Sequence, residues 1–124
     1  MVIGNGVDIL EISRIEKLIL NSPRFLERFY TENERSFFIE RGMKSETIAA
    51  GFAAKEAISK SFGTGIRGFN MVDIEVLRDA LGKPTVTLYG KAKELAESLG
   101  IVRFELSLSH SDSHAIAFVI ALGG

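Results

Sequence analysis

The chain has 124 residues, a formal net charge of −1, 46% hydrophobic and 25% charged residues, and no cysteine. The length suits a single domain (residues 1–124) with its own core. The composition excludes disorder and fibrous repeats, and the lack of cysteine excludes disulfides and thiolate metal sites and fits a cytoplasmic protein. A general nucleic-acid binder would be strongly basic, which this chain is not. Residues 1–9 are too short and too glycine-broken for a signal peptide. Residues 115–122 are too short to span a membrane as a helix, so no membrane insertion is expected.

Residues 2–9 read as a strand, with Ile3, Asn5, Val7 and Ile9 on one face and Val2, Gly4, Gly6 and Asp8 on the other. Asp8 thus stands on a face cleared by glycines. Two readings fit: close approach by another backbone or a ligand, or a bulge with Asp8 as a polar strand end. Residues 11–20 form an amphipathic helix, with Ile12, Ile15 and Ile19 inward and Arg14 and Lys17 outward. Ser22 as a cap with Pro23 in the first helical position predicts a second helix over 23–30, which sets Arg24 and Arg28 one turn apart. Thr31 and Glu34 match a capping box that opens a third helix ending at Gly42. Acidic residues are mixed among the basic ones from Arg14 to Lys44. A solvated surface is the default there, and Arg14, Arg24 and Arg28 make an acid-binding patch only if the fold gathers them.

A central helix over residues 46–62 follows from its alanines, with glycines after Phe62 as a stop. On a helical wheel Phe52, Lys55, Glu56, Ser59 and Lys60 gather on one side, and Ala50, Gly51, Ala53, Ala54, Ala57 and Ile58 on the other. Glu56 and Lys60 have the i, i+4 spacing of many solvated surface pairs. Residues 71–78 alternate as a strand, 79–84 turn, and 85–89 complete a hairpin. A helix over 91–99 closes at Gly100, and strands over 103–109 and 114–122 flank a turn at 110–113. The last strand is apolar on both faces, so it belongs at the centre of a sheet or in a subunit interface. The order of strand, helices, hairpin, helix, hairpin predicts an α+β fold with an antiparallel sheet.

Asp8 and Glu56 come from distant elements, and two carboxylates without histidine neighbours suit a hard divalent ion such as magnesium better than zinc. Gly63, Thr64 and Gly65 could admit a phosphate, but they follow a helix instead of opening one and lack the Walker pattern. His110, Ser111 and Asp112 have no paired nucleophile. Asp112 and the serines read as turn formers, with His110 a modest candidate for a phosphate contact.

The ordered set Gly6-Val7-Asp8-Ile9, Arg14-Ile15, Phe52-Ala53-Ala54-Lys55-Glu56-Ala57 with Lys60, Gly82-Lys83-Pro84 and Ser109-His110-Ser111 resembles the holo-[acyl-carrier-protein] synthases. These are the short, trimeric bacterial 4'-phosphopantetheinyl transferases. The resemblance implies transfer of the 4'-phosphopantetheine arm of coenzyme A to a serine of apo acyl carrier protein, leaving adenosine 3',5'-bisphosphate. It further implies Mg2+, a role in fatty acid biosynthesis, and a homotrimer with each site between neighbouring subunits, so that Asp8 and Glu56 could come from different chains. On that likeness Asp8 and Glu56 hold the metal, Lys60 adds charge to the phosphates, and Glu56 is the candidate base. Lys60, Gly63, Lys83, Pro84 and His110 bind coenzyme A, with His110 near the 3'-phosphate, and Arg14, Arg24 and Arg28 receive the carrier protein. Members of the family often carry arginine or tryptophan where this chain has Gly51, which implies that another residue replaces any phosphate contact made there, or that coenzyme A affinity is lower. A magnesium-dependent phosphate hydrolase would use the same carboxylates with water, and a non-catalytic nucleotide-binding module would use them without turnover.

Overall fold

The computed structural model describes residues 1–64 and 68–124, so the expectation for Gly65 lies outside the described residues. Strand β1 (Val2–Glu11) runs into α1 (Ile12–Asn21), α2 (Phe25–Phe29), α3 (Glu32–Glu40) and α4 (Ser45–Ser61). A 3-10 turn (Met71–Asp73) leads to β2 (Ile74–Arg78), β3 (Pro84–Leu88), α5 (Gly90–Ser98), β4 (Ile101–His110) and β5 (His114–Gly123). One antiparallel sheet has the order β1-β5-β4 and a second is the β2-β3 hairpin, which gives the expected α+β architecture.

The small face of α4 lies on the three-stranded sheet. Ala53, Ala54 and Ala57 are fully buried there with Ala117, Val119 and Ala121 of β5, and Phe62, Phe69 and Ile74 complete this core. A Cβ on Gly6 would run into the Ala57 carbonyl, and one on Gly4 into the Ser61 carbonyl. The glycines of β1 are therefore explained by close approach of the α4 backbone. A register irregularity does lie between Val2 and Gly4, but Gly6 and Asp8 pair regularly with Val119 and Ala117. A second core joins α1, α2 and α3 to the first half of α4 through Ile15, Phe25, Tyr30, Phe38 and Ile48. Tyr30 is fully buried and its hydroxyl donates to the Ile48 carbonyl at 2.9 Å. The ring of Tyr30 meets Phe38 edge-on at 4.9 Å, an arrangement worth about 0.5–1.5 kcal/mol beyond the area it buries.

The capping box at Thr31 forms as expected, with the Thr31 hydroxyl accepting from the Glu34 amide and the Glu34 carboxylate accepting from the Thr31 amide. β5 is central, one of the two placements that its doubly apolar pattern allowed. Three expectations are corrected. Ser22 does not cap a helix from Pro23: its amide closes α1 on the Leu18 carbonyl, and α2 begins only at Phe25. The strand expected from residue 71 starts at Ile74, because Asn70 and Asp73 form their own capping box around a 3-10 turn. Finally, the charged side of α4 is not one solvated face, since Lys55 and Ser59 are buried.

Candidate active site

The close packing of α4 on β1 brings Asp8, Glu56 and Lys60 together. The Lys60 ammonium donates to the Val7 carbonyl at 2.9 Å and to Asp8 Oδ1 at 3.2 Å. The Lys60 side chain is 55% exposed and that of Asp8 18%. Lys60 thus reaches across to β1, in place of the surface pair with Glu56 that its spacing suggested. Glu56 is half-buried, and its carboxyl is held above the usual range mainly by that burial, then by the Asp8 charge, with Lys60 pulling the other way. The result is two carboxylates that repel each other and one ammonium, open on one side to solvent. Oxygen donors of this kind fit a hard divalent ion that takes its remaining positions from water and phosphate. No cluster of three or more His, Cys, Asp or Glu with metal-binding geometry exists among the described residues, and Asp8 and Glu56 are the two carboxylates that could hold such an ion here.

A single chain supplies both Asp8 and Glu56, which corrects the expectation that they could come from different subunits. The remaining predicted residues lie elsewhere. Gly63 closes α4 with a φ of +75° and its amide bonds the Lys60 carbonyl at 3.1 Å, one turn beyond the catalytic candidates. Lys83 lies 3.6 Å from the Glu105 carboxylate, and Pro84 opens β3 beside it, along a groove between β3, α5 and β4. His110, at the end of β4, lines an open pocket with Arg41, Arg78, Gly82 and Glu46. In one chain, then, Lys83, Pro84 and His110 line pockets that Asp8, Glu56 and Lys60 do not line.

Arg41 and Arg78 are additions that sequence patterning did not single out. Burial and the neighbouring Arg41 guanidinium both lower the pKa of Arg78, so two cations stand close together next to His110. Nothing along the chain announces this pair, because α3 and β2 meet only in the folded protein. On the opposite flank, Arg24 and Arg28 border a notch lined by Leu18, Phe25 and Phe29 between α1 and α2. Arg14, one helical turn before Leu18 on α1, is exposed but does not line this notch, so the fold brings together Arg24 and Arg28 and leaves Arg14 beside them on the same helix face as Leu18. At Gly51 an added Cβ would touch Phe38 at 3.5 Å and Tyr30 at 3.7 Å.

Beside the open group sits a closed one. The Lys55 ammonium is fully enclosed and donates to Glu34 Oε1 at 2.7 Å, to the Met71 carbonyl at 3.2 Å and to the Ile74 carbonyl. Glu34 Oε2 accepts from the Val76 amide at 2.9 Å. Burial raises the Glu34 pKa and lowers that of Lys55, each against the attraction of its partner. Next to this pair, Glu75 accepts from the Thr31 and Tyr89 hydroxyls at 2.6 and 3.1 Å and from the Asn33 amide group at 3.2 Å.

Residues 4–119 match the family model of the 4'-phosphopantetheinyl transferase superfamily. A Clostridium perfringens protein named holo-[acyl-carrier-protein] synthase is 50% identical over 127 aligned positions, spanning 99% of this chain and 96% of its own. Among solved structures, a Plasmodium yoelii acyl carrier protein synthase with ADP bound superimposes with a TM-score of 0.91 at 38% identity, covering 100% of this chain and 97% of that one. A Helicobacter pylori holo-[acyl-carrier-protein] synthase in complex with coenzyme A gives 0.81 at 36% identity, covering 95% and 99%.

Proposed function

Because the chain belongs to the 4'-phosphopantetheinyl transferase superfamily, and within it to the holo-[acyl-carrier-protein] synthases, we propose that Asp8, Glu56 and Lys60 form the reacting end of its site. The enzyme moves phosphopantetheine from coenzyme A to an acyl carrier protein. The observation that carries the site assignment is the meeting of Asp8 on β1 with Glu56 and Lys60 on α4 in one half-open cluster. The carrier serine oxygen forms a bond to the phosphorus that bears pantetheine, and the phosphoanhydride bond to the nucleotide breaks. Adenosine 3',5'-bisphosphate leaves with the electron pair, and the serine proton passes to Glu56. Lys60 offsets charge on the departing phosphate. Asp8 and Glu56 would hold magnesium, which when bound supplies positive charge against the phosphate oxygens.

The nucleotide end is completed by a second copy of the chain in a homotrimer. Two features support this reading. In one chain, Lys83, Pro84 and His110 line pockets that the reacting cluster does not line, and Arg41 and Arg78 beside His110 offer the charge that a 3'-phosphate requires. In addition, the sheet face turned away from α4 carries a contiguous apolar patch in which Val7 pairs with Phe118 and Ile9 with Ile116. All four residues are at least 39% exposed, which is the signature of an interaction face. Arg14, Arg24 and Arg28 receive an acidic helix of the carrier protein, so docking weakens with salt. No described helix is long and apolar enough to cross a membrane. The reaction is assigned to fatty acid biosynthesis in the cytoplasm.

The test is to incubate the protein with coenzyme A, magnesium and apo acyl carrier protein and to weigh the carrier by mass spectrometry. A carrier heavier by one phosphopantetheine is expected, and failure to modify any of several carriers overturns the proposal. Release of phosphopantetheine to water without carrier would instead favour a hydrolase.

A further inference from the structure

We propose that Lys55 is a positioning residue for the transfer reaction, its buried ion pair with Glu34 holding α4 against α3 and β2 and thereby setting where Glu56 and Lys60 stand. The inference rests on the function proposed above and adds to it a residue that touches neither substrate.

The contacts of α4 with the sheet are made mostly by small side chains, with Ile58 the one larger aliphatic residue of the helix in that core. Ala53, Ala54 and Ala57 against a glycine-cleared strand let the helix come close, but they offer few interdigitating groups to resist sliding along its axis. Lys55 supplies the direction that this face lacks. Its ammonium bonds one carboxylate from α3 and two carbonyls, of Met71 and Ile74, at the entry to β2. The carboxylate is itself held from both sides, Oε1 by the Thr31 amide at 2.8 Å and Oε2 by the Val76 amide. Four segments therefore converge on one ion pair with no exposed atoms to speak of: the Lys55 side chain is 0% exposed and that of Glu34 1%.

Such a pair is a weak source of stability, because removing two charges from water offsets most of their attraction. Its directional bonds do fix the position of residue 55, and the next residue is Glu56. β2 continues into the hairpin that carries Arg78, Gly82, Lys83 and Pro84, and its own pairing with β3, from Ile74 opposite Leu88 to Arg78 opposite Pro84, holds that hairpin without the ion pair. A displacement of about 1 Å at a reacting group lowers turnover on the order of 100-fold. The effect belongs in kcat, since the groups that bind the nucleotide remain in place.

The test compares the full-length protein with Lys55→Met/Glu34→Gln, which removes both charges at similar volume, and with Glu34→Asp, which keeps both charges and shortens the carboxylate arm. Steady-state transfer to apo carrier protein is read together with circular dichroism and thermal melting. The double variant is expected to fold with kcat lower by about 10- to 100-fold and a KM for coenzyme A within about threefold of the parent. Glu34→Asp, folded, is expected to lose kcat several-fold in the same way. A folded variant of either kind with kcat within twofold of the parent overturns the proposal, as does a loss confined to KM. If the double variant does not fold, Glu34→Asp decides by the same criterion, and unfolding of both would mark the pair as a stability element and overturn it. A parent that modifies no carrier sinks the transferase reading itself, whereas an active parent with equally active variants sinks this inference alone.

Discussion

Lys55 and Lys60 lie five residues apart on one helix, and each bonds a carboxylate from another element. Lys55 is sealed against Glu34, while Lys60 is half in water against Asp8. The sealed pair has no freedom and no access, so its only outlet is mechanical: it holds elements in register. The open pair contributes little to stability, because water screens it, but its groups can meet a phosphate. Two lysines of one helix thus differ in role according to which neighbouring element covers them.

Breaking the sealed pair should have the largest effect. Lys55→Met alone leaves the Glu34 carboxylate buried without its cation and should cost about 3–5 kcal/mol of stability. Chemical denaturation measures this, and a loss below about 1 kcal/mol would mean that the pair is not sealed in solution. Breaking the open group should reverse the pattern. Asp8→Asn and Glu56→Gln are each expected to lower transfer by roughly 10²–10³-fold while the protein stays folded. Full activity in either variant would remove that residue from the reacting group.

The contact beneath both pairs comes next. Gly6→Ala drives a methyl group into the Ala57 carbonyl, and overpacking of this kind costs about 1–3 kcal/mol. An unchanged melting temperature would show that α4 does not lie as close to β1 as described. A smaller effect follows from the Glu56 carboxyl, whose pKa is raised in the folded protein by burial and by Asp8. Between its ordinary value and that raised value the folded state binds more protons than the unfolded one, so stability falls as pH rises through the window. Glu56→Gln should therefore melt higher than the parent at neutral pH, with the advantage vanishing once the pH drops below the ordinary carboxylate range. A melting difference independent of pH would contradict this. Smallest of all, Lys60→Ala should change stability by no more than about 1 kcal/mol, since the side chain is more than half exposed. A larger loss would mean that the open pair is framework after all.

The elements were legible in the chain because they follow from local rules, and the candidate site residues because the ordered motifs resemble those of a family. Alternation marked the strands, the capping box at Thr31 and Glu34 marked α3, and the doubly apolar final strand marked the centre of a sheet or an interface. Asp8 stood out because Gly4 and Gly6 share its face, a local signal of close approach, and the ordered motifs joined it to Glu56 and Lys60. The failures were also local in origin. Ser22-Pro23 has the composition of a helix start, yet its amide is spent on closing α1, and Asn70 takes Met71 out of the strand by capping a 3-10 turn.

What the sequence determined by itself was the set of elements, the family motifs and the identity of the groups able to act on a phosphate, since these depend on residue type and short-range spacing. Only the tertiary structure decided which charges act. A wheel places Lys55, Glu56, Ser59 and Lys60 on one side of α4, but it cannot show that α3 and β2 cover half of that side and β1 borders the rest. Burial is a property of what packs against a helix. For this chain the same stripe of polar residues becomes a sealed ion pair at Lys55 and a half-open group at Glu56 and Lys60, the one proposed above to react.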